Sequence, residues 1–272
     1  MKMSQLKTLF IVVLVLANLF LLSPVVPRQV ARNRQRDEMK QSIVSLLEKS
    51  GISMDKKTVP DDKDISPLDI KRNAKAQETA ARAVLGACEA EDVGGGITVY
   101  SSSLGSAVFR LGGEFTLTVE GKSAYESAKQ ASKLFRAMGI YVDKAGMQTV
   151  NEDGRVLVSA YQSLEDAVVF DCAVTAVFGP AGLEKVEGRW ITQTRRATDS
   201  QARPYRAATA MTAFLDAVKR EGIICASIEE LTQGYIISQT SSSSSLIPAW
   251  RIKTDTGVYM FDSSTGSIIS GT

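Results

Sequence analysis

Few side chains in this chain are suited to catalysis. Its 272 residues include no histidine, which excludes the commonest general base, the commonest transition-metal ligand and every Ser-His or Cys-His nucleophile. The cysteines Cys88, Cys172 and Cys225 are widely spaced and form no C-x-x-C motif. The sequence leaves open whether two of them form one disulfide outside the cell or all three are buried thiols, and it favours the thiols.

Three further groups of reactive or ligand-binding residues each lack part of the pattern that their chemistry needs. Ser53 and Lys56 have the spacing of a lysine-activated serine nucleophile, but the only counterpart of the downstream Lys-Thr-Gly element, Lys49-Ser50-Gly51, precedes the serine. The acidic cluster in residues 58–67 is too short for a calcium loop and lacks its glycine and terminal glutamate, so a solvated loop is expected there. The glycines 94–96 precede a strand and lack the Lys and Ser/Thr of a phosphate loop. We therefore expect no enzymatic activity, no metal and no cofactor.

The composition is that of a folded protein with balanced charge. Hydrophobic residues make up 44% and charged residues 23% of the chain, enough for one large domain or two small ones. The formal net charge is +2, so no nucleic-acid partner is expected.

Residues 8–26, TLFIVVLVLANLFLLSPVV, are the only stretch that could cross a membrane. At about 1.5 Å per residue this segment reaches ~28 Å, close to the thickness of the hydrocarbon core of a bilayer. The alternative is a cleavable signal peptide, because a basic start precedes the apolar run. Two prolines and an arginine follow the run instead of a small-residue cleavage site, which favours an uncleaved anchor.

Four arginines follow the anchor, and they bear on its orientation: Arg28, Arg32, Arg34 and Arg36. Charge counting alone would place the body in the cytoplasm. The N-terminal flank of residues 1–7 is short and hard to translocate, and long domains are translocated regardless of charge, so we favour an extracytoplasmic body. The arginines are candidate contacts to lipid headgroups, with a solvated helix face as the equal alternative.

Asn18 is the one amide within the anchor. An amide among apolar side chains is better accommodated against a polar group of another helix than against lipid, and the neighbouring Ala17 permits a close helix approach. Ala17 and Asn18 are therefore the candidate contact to a transmembrane partner. The alternative is an asparagine close enough to the membrane boundary to meet headgroups or water.

Helical periodicity and turn residues predict an α+β body. Helices are expected over residues 36–50, 73–86, 124–138 and 204–220, the third with a capping box from Ser123 to Glu126. Strands are expected over residues 97–102, 106–111, 114–120, 155–161, 167–178 and 183–192. A C-terminal hairpin with a buried Trp250 follows a flexible serine-rich loop at residues 239–245.

Three predicted helix ends share a Gly-Ile pair at residues 51–52, 139–140 and 222–223. A glycine after a helix favours the left-handed cap, and the isoleucine then returns to the core. The pattern is explained either by duplication of an α+β module or by convergence of helix ends. The predicted organisation is a cytoplasmic N-terminus (1–7), a transmembrane anchor (8–26), a juxtamembrane helix (27–50) and two tandem modules (51–146 and 147–272), each a helix packed on an antiparallel sheet.

Four segments in a distinctive order carry a resemblance to a known family: the anchor LKTLFIVVLVLANLFLL, the helix end LLEKSGISM, the meander ITVYSSSLGSAVFRLGGEFTLTV and the ending CASIEELTQGYII…IPAWRIKTDTGVYMFD. Together they resemble the YycI/YycH type of membrane-anchored regulators of a Gram-positive cell-wall sensor kinase. The last segment also resembles the PepSY module.

The resemblance implies a cytoplasmic N-terminus, one membrane pass and an extracytoplasmic body. It further implies a non-enzymatic regulator of a two-component system, in which the membrane helix and the body contact a sensor histidine kinase and a sister protein. The arginine-rich flank and the serine loop are not features of that family. An alternative is an anchored, PepSY-like module that binds a ligand or peptide between helix 124–138 and its sheet.

Overall fold

The computed structural model describes residues 11, 14, 25–197, 205–240, 243–263 and 265–271. Four α-helices have described bounds: α1 (Val25–Lys49), α2 (Ala74–Leu85), α3 (Ala131–Ala137) and α4 (Ala207–Glu221). Short 3-10 turns lie at Lys56–Thr58 and Ala128–Gln130.

Groups of strands follow each of these helices along the chain. In order they are β1 (Ser53–Met54), β2 (Leu68–Lys71), β3 (Glu89–Gly94), β4 (Ile97–Ser102), β5 (Gly105–Phe109), β6 (Glu114–Val119), β7 (Gln148–Glu152), β8 (Arg155–Leu164), β9 (Ala167–Gly179), β10 (Gly182–Arg189), β11 (Gln193–Arg196), β12 (Ser227–Gln239), β13 (Ser244–Thr254), β14 (Val258–Asp262) and β15 (Ile268–Gly271).

All fifteen strands belong to one sheet. The main path runs β11-β2-β13-β12-β9-β10-β6-β5-β4-β3. Off this path, β8 pairs with β9 and β7 with β8, and β14 pairs with β13 and β15 with β14. Among the described residues two pairings are parallel, β1 with β12 and β9 with β12. The strand β3 forms one end, and its six residues are all exposed. The chain thus has a mixed α+β fold with one large, mainly antiparallel sheet, which confirms the predicted class at that level.

The three Gly-Ile pairs end their helices in the same way. The glycines have left-handed φ values of 80°, 79° and 68° at Gly51, Gly139 and Gly222. In each case the isoleucine N–H donates to the carbonyl five residues earlier, at 3.0, 2.8 and 3.1 Å. This is the hydrogen bond of a Schellman cap. The predicted helix ends are therefore confirmed, and Ile52 and Ile140 are buried as expected.

The helix predicted at residues 124–138 begins later than expected. Its capping box is formed by Ser127 and Gln130, ahead of α3. Ser123 instead accepts a hydrogen bond from the N–H of Tyr125 at 3.1 Å. The carbonyl of Tyr125 accepts from the N–H of Leu183 at 2.9 Å, which holds this stretch extended beside the start of β10. The predicted capping box at residues 123–126 is wrong for that reason.

The first core lies between α2, α3 and the strands from β4 to β10. Its aromatic centre is a stack of Phe109 on Phe115, with ring centroids 5.6 Å apart. Tyr100 meets Phe109 edge-on at 5.7 Å, and Trp190, only 4% exposed, lies against both phenylalanines. Trp190, which directly follows β10, is therefore a core residue.

The second core lies beneath α1 and α4. Ile43, Val44 and Leu47 of α1 pack there with Phe214 of α4 and with side chains of β12 to β14, among them Trp250. Leu46 is 39% exposed. Leu47 lies between Ile43 and Val44 around the helix, whereas Leu46 is turned about 100° away from Leu47 and so lies at the edge of this stripe.

The buried side chains do not group according to the predicted module boundary, which divides the chain after residue 146. The first core draws on residues 80–190, and the second on residues 43–59 and 207–261. The sheet runs between them without a break, because β12 pairs with β9.

The serine-rich loop is shorter than predicted. Gln239 ends β12, and Ser244 and Ser245 begin β13. The N–H of Thr240 donates to the carbonyl of Ser243 at 2.8 Å, which closes the connection as a turn; residues 241 and 242 lie outside the described residues.

The predicted anchor, residues 8–26, lies outside the described residues apart from positions 11, 14, 25 and 26. Within the part of the chain that the structure describes, no helix has both the length and the apolar composition of a membrane span.

The pairing of β12 with β9 leaves no room for a side chain at Gly234. A larger residue at this position should therefore clash sterically where the sheet joins the two cores. A Cβ there would lie 2.3 Å from the carbonyl oxygen of Val168 and 2.7 Å from the ring of Phe170. Gly234→Ala should lower the free energy of unfolding by about 1–3 kcal/mol or more, because overpacking against backbone cannot relax. Urea denaturation of the full-length chain measures it.

Gly154→Ala is the matched control for that change. Gly154 has a φ of 76°, and no atom lies within 4 Å of the position that an added Cβ would take. Only the left-handed conformation should therefore cost stability, about 1 kcal/mol. Equal losses in the two variants would show that the β12–β9 junction is not closely packed.

Candidate functional site

A cavity of about 880 Å³ lies beside α1. Four parts of the chain line it: Gln35, Arg36 and Met39 of α1, residues 61–64, Tyr205 and Arg206 before α4, and Gln233 of β12. The pocket expected between helix 124–138 and its sheet is not where this cavity lies. The acidic loop forms one wall of it through residues 61–64, of which Asp61, Lys63 and Asp64 are exposed, as a solvated loop predicts.

Asp61 connects this wall to α1. Its carboxylate lies 3.0 Å from the Lys40 ammonium and 3.8 Å from the Arg36 guanidinium. The hydrogen bond from Lys40 holds the pKa of Asp61 below its ordinary value, and Arg36 contributes in the same direction.

Asp62 fixes the wall to α4. Its Oδ1 accepts the N–H of Ala207, the first residue of α4, at 2.8 Å. The first N–H groups of a helix have no partner within the helix, so a side-chain acceptor there stabilises the helix start. The acceptor in this case comes from 145 residues away in the chain. The next residue, Lys63, donates its N–H to Oε1 of Gln233 at 2.7 Å.

Tyr205 sits on the rim and is held by the second core. Its carbonyl accepts the indole N–H of Trp250 at 2.8 Å, and its own N–H donates to the carbonyl of Ser263 at 2.6 Å. Its ring lies against Gly266, where an added Cβ would be 2.7 Å from Cε2. The rim therefore moves only if the second core moves.

Three polar groups of the cavity have no hydrogen bond or ion pair with any described residue. They are the guanidinium of Arg206, the carboxylate of Asp64 and the Nε2 amide of Gln233. Arg206 and Asp64 are exposed, whereas Gln233 is only 3% exposed.

The candidate contacts taken from the sequence are only partly within the described residues. Ala17 and Asn18 lie outside the described residues, and of Arg28 and Arg32 only the helical backbone is described. Arg34 is 81% exposed and pairs with Glu38 at 3.3 Å. Arg36 pairs with Asp61 and lines the cavity. A role of the arginines in contacting lipid headgroups stays a prediction.

The residues weighed for catalysis are engaged in structural contacts. The hydroxyl of Ser53 donates to the carbonyl of Ala226 at 3.2 Å, and the ammonium of Lys56 lies 3.5 Å from Asp37. Within the described residues, no group of Cys, Asp and Glu side chains is arranged to hold a metal ion.

All three cysteines are free thiols. Cys172 is buried, and its burial raises the pKa of the thiol to about 12. Cys88 and Cys225 are partly buried, and burial raises the pKa of each thiol as well. Thiols with raised pKa values hold little thiolate at neutral pH and react slowly.

The lowered pKa of Asp61 predicts a pH-dependent contribution to stability. A carboxyl whose folded pKa lies below its unfolded value stabilises the fold above the unfolded pKa, and the contribution is lost as the pH falls through the folded pKa. Asp61→Asn should lower the free energy of unfolding at neutral pH by about 0.2–1 kcal/mol, since the pair is largely exposed. Urea denaturation of both proteins over a pH series should show the difference vanishing in acid.

Asp64→Asn serves as the matched control, because the neighbouring Asp64 has no ion pair within the described residues. Its effect should be smaller and nearly independent of pH. A loss in Asp61→Asn that persists at low pH would contradict a role for the charged pair.

Comparison with known proteins gives only a distant structural similarity. No protein-family model matches the chain, and no curated protein matches it. Among solved structures, the chain is similar to a crystal structure of an uncharacterized protein from Eubacterium rectale ATCC 33656, with a TM-score of 0.45 and 11% sequence identity. That alignment covers 75% of this chain and 85% of the other.

Proposed function

We propose that this protein is a non-enzymatic, membrane-anchored accessory protein with a cytoplasmic N-terminus and an extracytoplasmic body. In this role it modulates a sensor histidine kinase of a two-component system in cell-wall homeostasis, with a sister regulatory protein as a second partner. The resemblance of its sequence segments to YycI/YycH-type regulators supports the proposal. The structural observation that carries it is the docking of α1 into the second core.

α1 follows directly on the apolar segment, since it begins at Val25 and the segment extends to residue 26. Its C-terminal half is buried through Ile43, Val44 and Leu47, with exposures of 2%, 5% and 0%. A helix of 25 residues with one end packed in the core contains no flexible linker between residue 25 and the body. Movement of an anchor at residues 8–26 would therefore be passed to the body.

Ion pairs add a second attachment of α1 to the body. Asp61 pairs with Lys40 and Arg36, and Lys56 pairs with Asp37. Exposed pairs of this kind contribute about 0–1 kcal/mol each, so the buried stripe holds the helix and the pairs orient it.

The proposed regulation depends on differential binding to two kinase conformations. An accessory protein shifts such an equilibrium only by the difference between its affinities for the two states. A hydrogen bond from Asn18 to a partner helix would contribute about 0.6–2 kcal/mol, which biases pairing without fixing it. Contacts between the body and the kinase then supply the rest of the difference in affinity between the two kinase conformations.

The proposal includes the finer architecture expected from the sequence, an N-terminal transmembrane helix followed by two tandem modules of helix on antiparallel sheet. The helices form two groups, since α2 and α3 cover one part of the sheet while α1 and α4 cover another, although the first core extends beyond residue 146.

The cavity beside α1 favours a second candidate role, that of an anchored ligand-binding module. The two roles are compatible, because any ligand in the cavity would contact the same helix that joins body and anchor.

If α1 transmits force or position, breaking its continuity should abolish regulation. Insertion of four Gly and Ser residues between Asn33 and Arg34, both exposed, should leave co-purification with the kinase intact. Kinase autophosphorylation in vesicles should then fall back to the rate of the kinase alone, because the flexible insert uncouples anchor and body.

Seven helix-forming residues inserted at the same place are the matched control, since they add about two turns and preserve the helix. That variant should retain most of the regulation. The two insertions behaving alike would contradict the role of α1.

The association itself is tested by gentle detergent extraction of the native protein and of Asn18→Leu. We expect a sensor histidine kinase with the native form and less of it with the variant. Recovery of no kinase with either form would refute the proposed function.

A further inference from the structure

The cavity beside α1 is built by segments that are distant in sequence. α1, residues 61–64, the start of α4 and β12 each contribute a wall, and each wall is held by a specific bond, from Lys40 to Asp61, Ala207 to Asp62 and Lys63 to Gln233. Its volume of about 880 Å³ lies at the upper end of the range of ~300–1,000 Å³ typical of ligand pockets.

Four of the six charged side chains in the lining are already used to build it. Asp61 is paired with Lys40 and Arg36, and Asp62 caps α4. The ammonium of Lys63 donates to the carbonyl of Asp166. These groups hold the walls, so their charges are not available to a ligand.

What remains is one cation, one anion and one amide donor. Arg206 and Asp64 have no partner within the described residues, and neither does Nε2 of Gln233. Gln233 is the most telling of the three, because its side chain is 3% exposed while no buried side-chain N or O atom among the described residues lacks a hydrogen-bond partner. Its Nε2 is therefore the part of the side chain that solvent in the cavity reaches, and a ligand there can accept its N–H.

We propose that this cavity binds a short peptide with a free amino terminus and a free carboxyl terminus. The guanidinium of Arg206 binds the carboxylate, for which its planar fork is well suited. The carboxylate of Asp64 binds the ammonium, and Nε2 of Gln233 donates to a peptide carbonyl. The volume accommodates several residues.

Other ligand classes fit this lining less well. A phosphate group would meet the carboxylates of Asp61, Asp62 and Asp64 on one wall, with a single uncommitted cation to oppose them. An acyl chain could lie along the apolar atoms of the lining, but it would leave Arg206, Asp64 and Nε2 of Gln233 without partners. A zwitterion with an amide backbone offers a carboxylate for Arg206, an ammonium for Asp64 and a carbonyl for Nε2 of Gln233.

This proposal names a ligand class for the second candidate role, that of an anchored ligand-binding module, and so rests on that role alone. Its test contains no kinase, so the result is independent of whether the protein regulates a kinase. A peptide bound here would touch Gln35, Arg36 and Met39, and its occupancy would thereby be sensed by α1.

Isothermal titration of the full-length protein in detergent micelles with trialanine tests the proposal. Trialanine carries both charged ends and a peptide backbone without bulky side chains. We expect saturable binding with a Kd of about 1 mM or below. N-acetyl-trialanine amide, which has the same backbone and no terminal charges, should bind at least about tenfold more weakly, because it loses both charge-assisted contacts.

Arg206→Gln and Asp64→Asn should each weaken trialanine binding by about tenfold or more, as expected for loss of a hydrogen-bonded charge. Both positions are exposed, so the fold should be kept, and thermal unfolding checks that it is. Arg136→Gln is the matched control, because Arg136 is exposed and unpaired within the described residues and lies on α3, away from the cavity.

Absence of trialanine binding would overturn the proposal. Equal binding of the free and the blocked peptide would overturn it too, as would binding that Arg206→Gln and Asp64→Asn leave unchanged.

Discussion

The arrangement of the second core depends on one buried hydrogen bond. Trp250 is 0% exposed, so its indole N–H needs an acceptor inside the protein. The acceptor is the carbonyl of Tyr205, which fixes the chain two residues before α4 begins. With that start fixed, Asp62 can accept the N–H of Ala207, and the acidic loop is drawn against α4 and α1. The cavity exists because these segments are tied together around it.

Much of the local structure is encoded by short patterns, and these were predictable. The three Gly-Ile helix ends, Asn73 as the N-cap of α2 and the hairpin turn at residues 255–257 all depend on neighbours within a few positions. The capping box of α3 shows the limit of such patterns. Residues 123–126 and 127–130 both match the motif, and only the pairing of Tyr125 with Leu183 decides between them. Strand β3 was missed because none of its residues is buried, so it has no apolar alternation to detect.

The candidate site could not be predicted in the same way. Its lining combines residues near positions 36, 62, 206 and 233, which local patterns cannot bring together. From the sequence, Asp62 is predicted to be a loop residue. Its role as a helix cap depends on Ala207, 145 positions away, and is visible only in the folded structure. Gln233 carries no signal at all, because an isolated glutamine in a strand is common. Sequence reasoning found instead the features that apolar context makes visible, namely the segment 8–26 and its single asparagine.

The exposed end of the sheet has a consequence for how copies of the protein behave side by side. An edge strand offers unpaired N–H and C=O groups that another edge can bind, which is the usual beginning of sheet-to-sheet aggregation. Three of the six residues of β3 are acidic: Glu89, Glu91 and Asp92. Two such edges can pair only by bringing these carboxylates within a few ångströms of one another, where like charges repel. The chain therefore leaves this edge open to solvent while opposing its growth into a larger sheet.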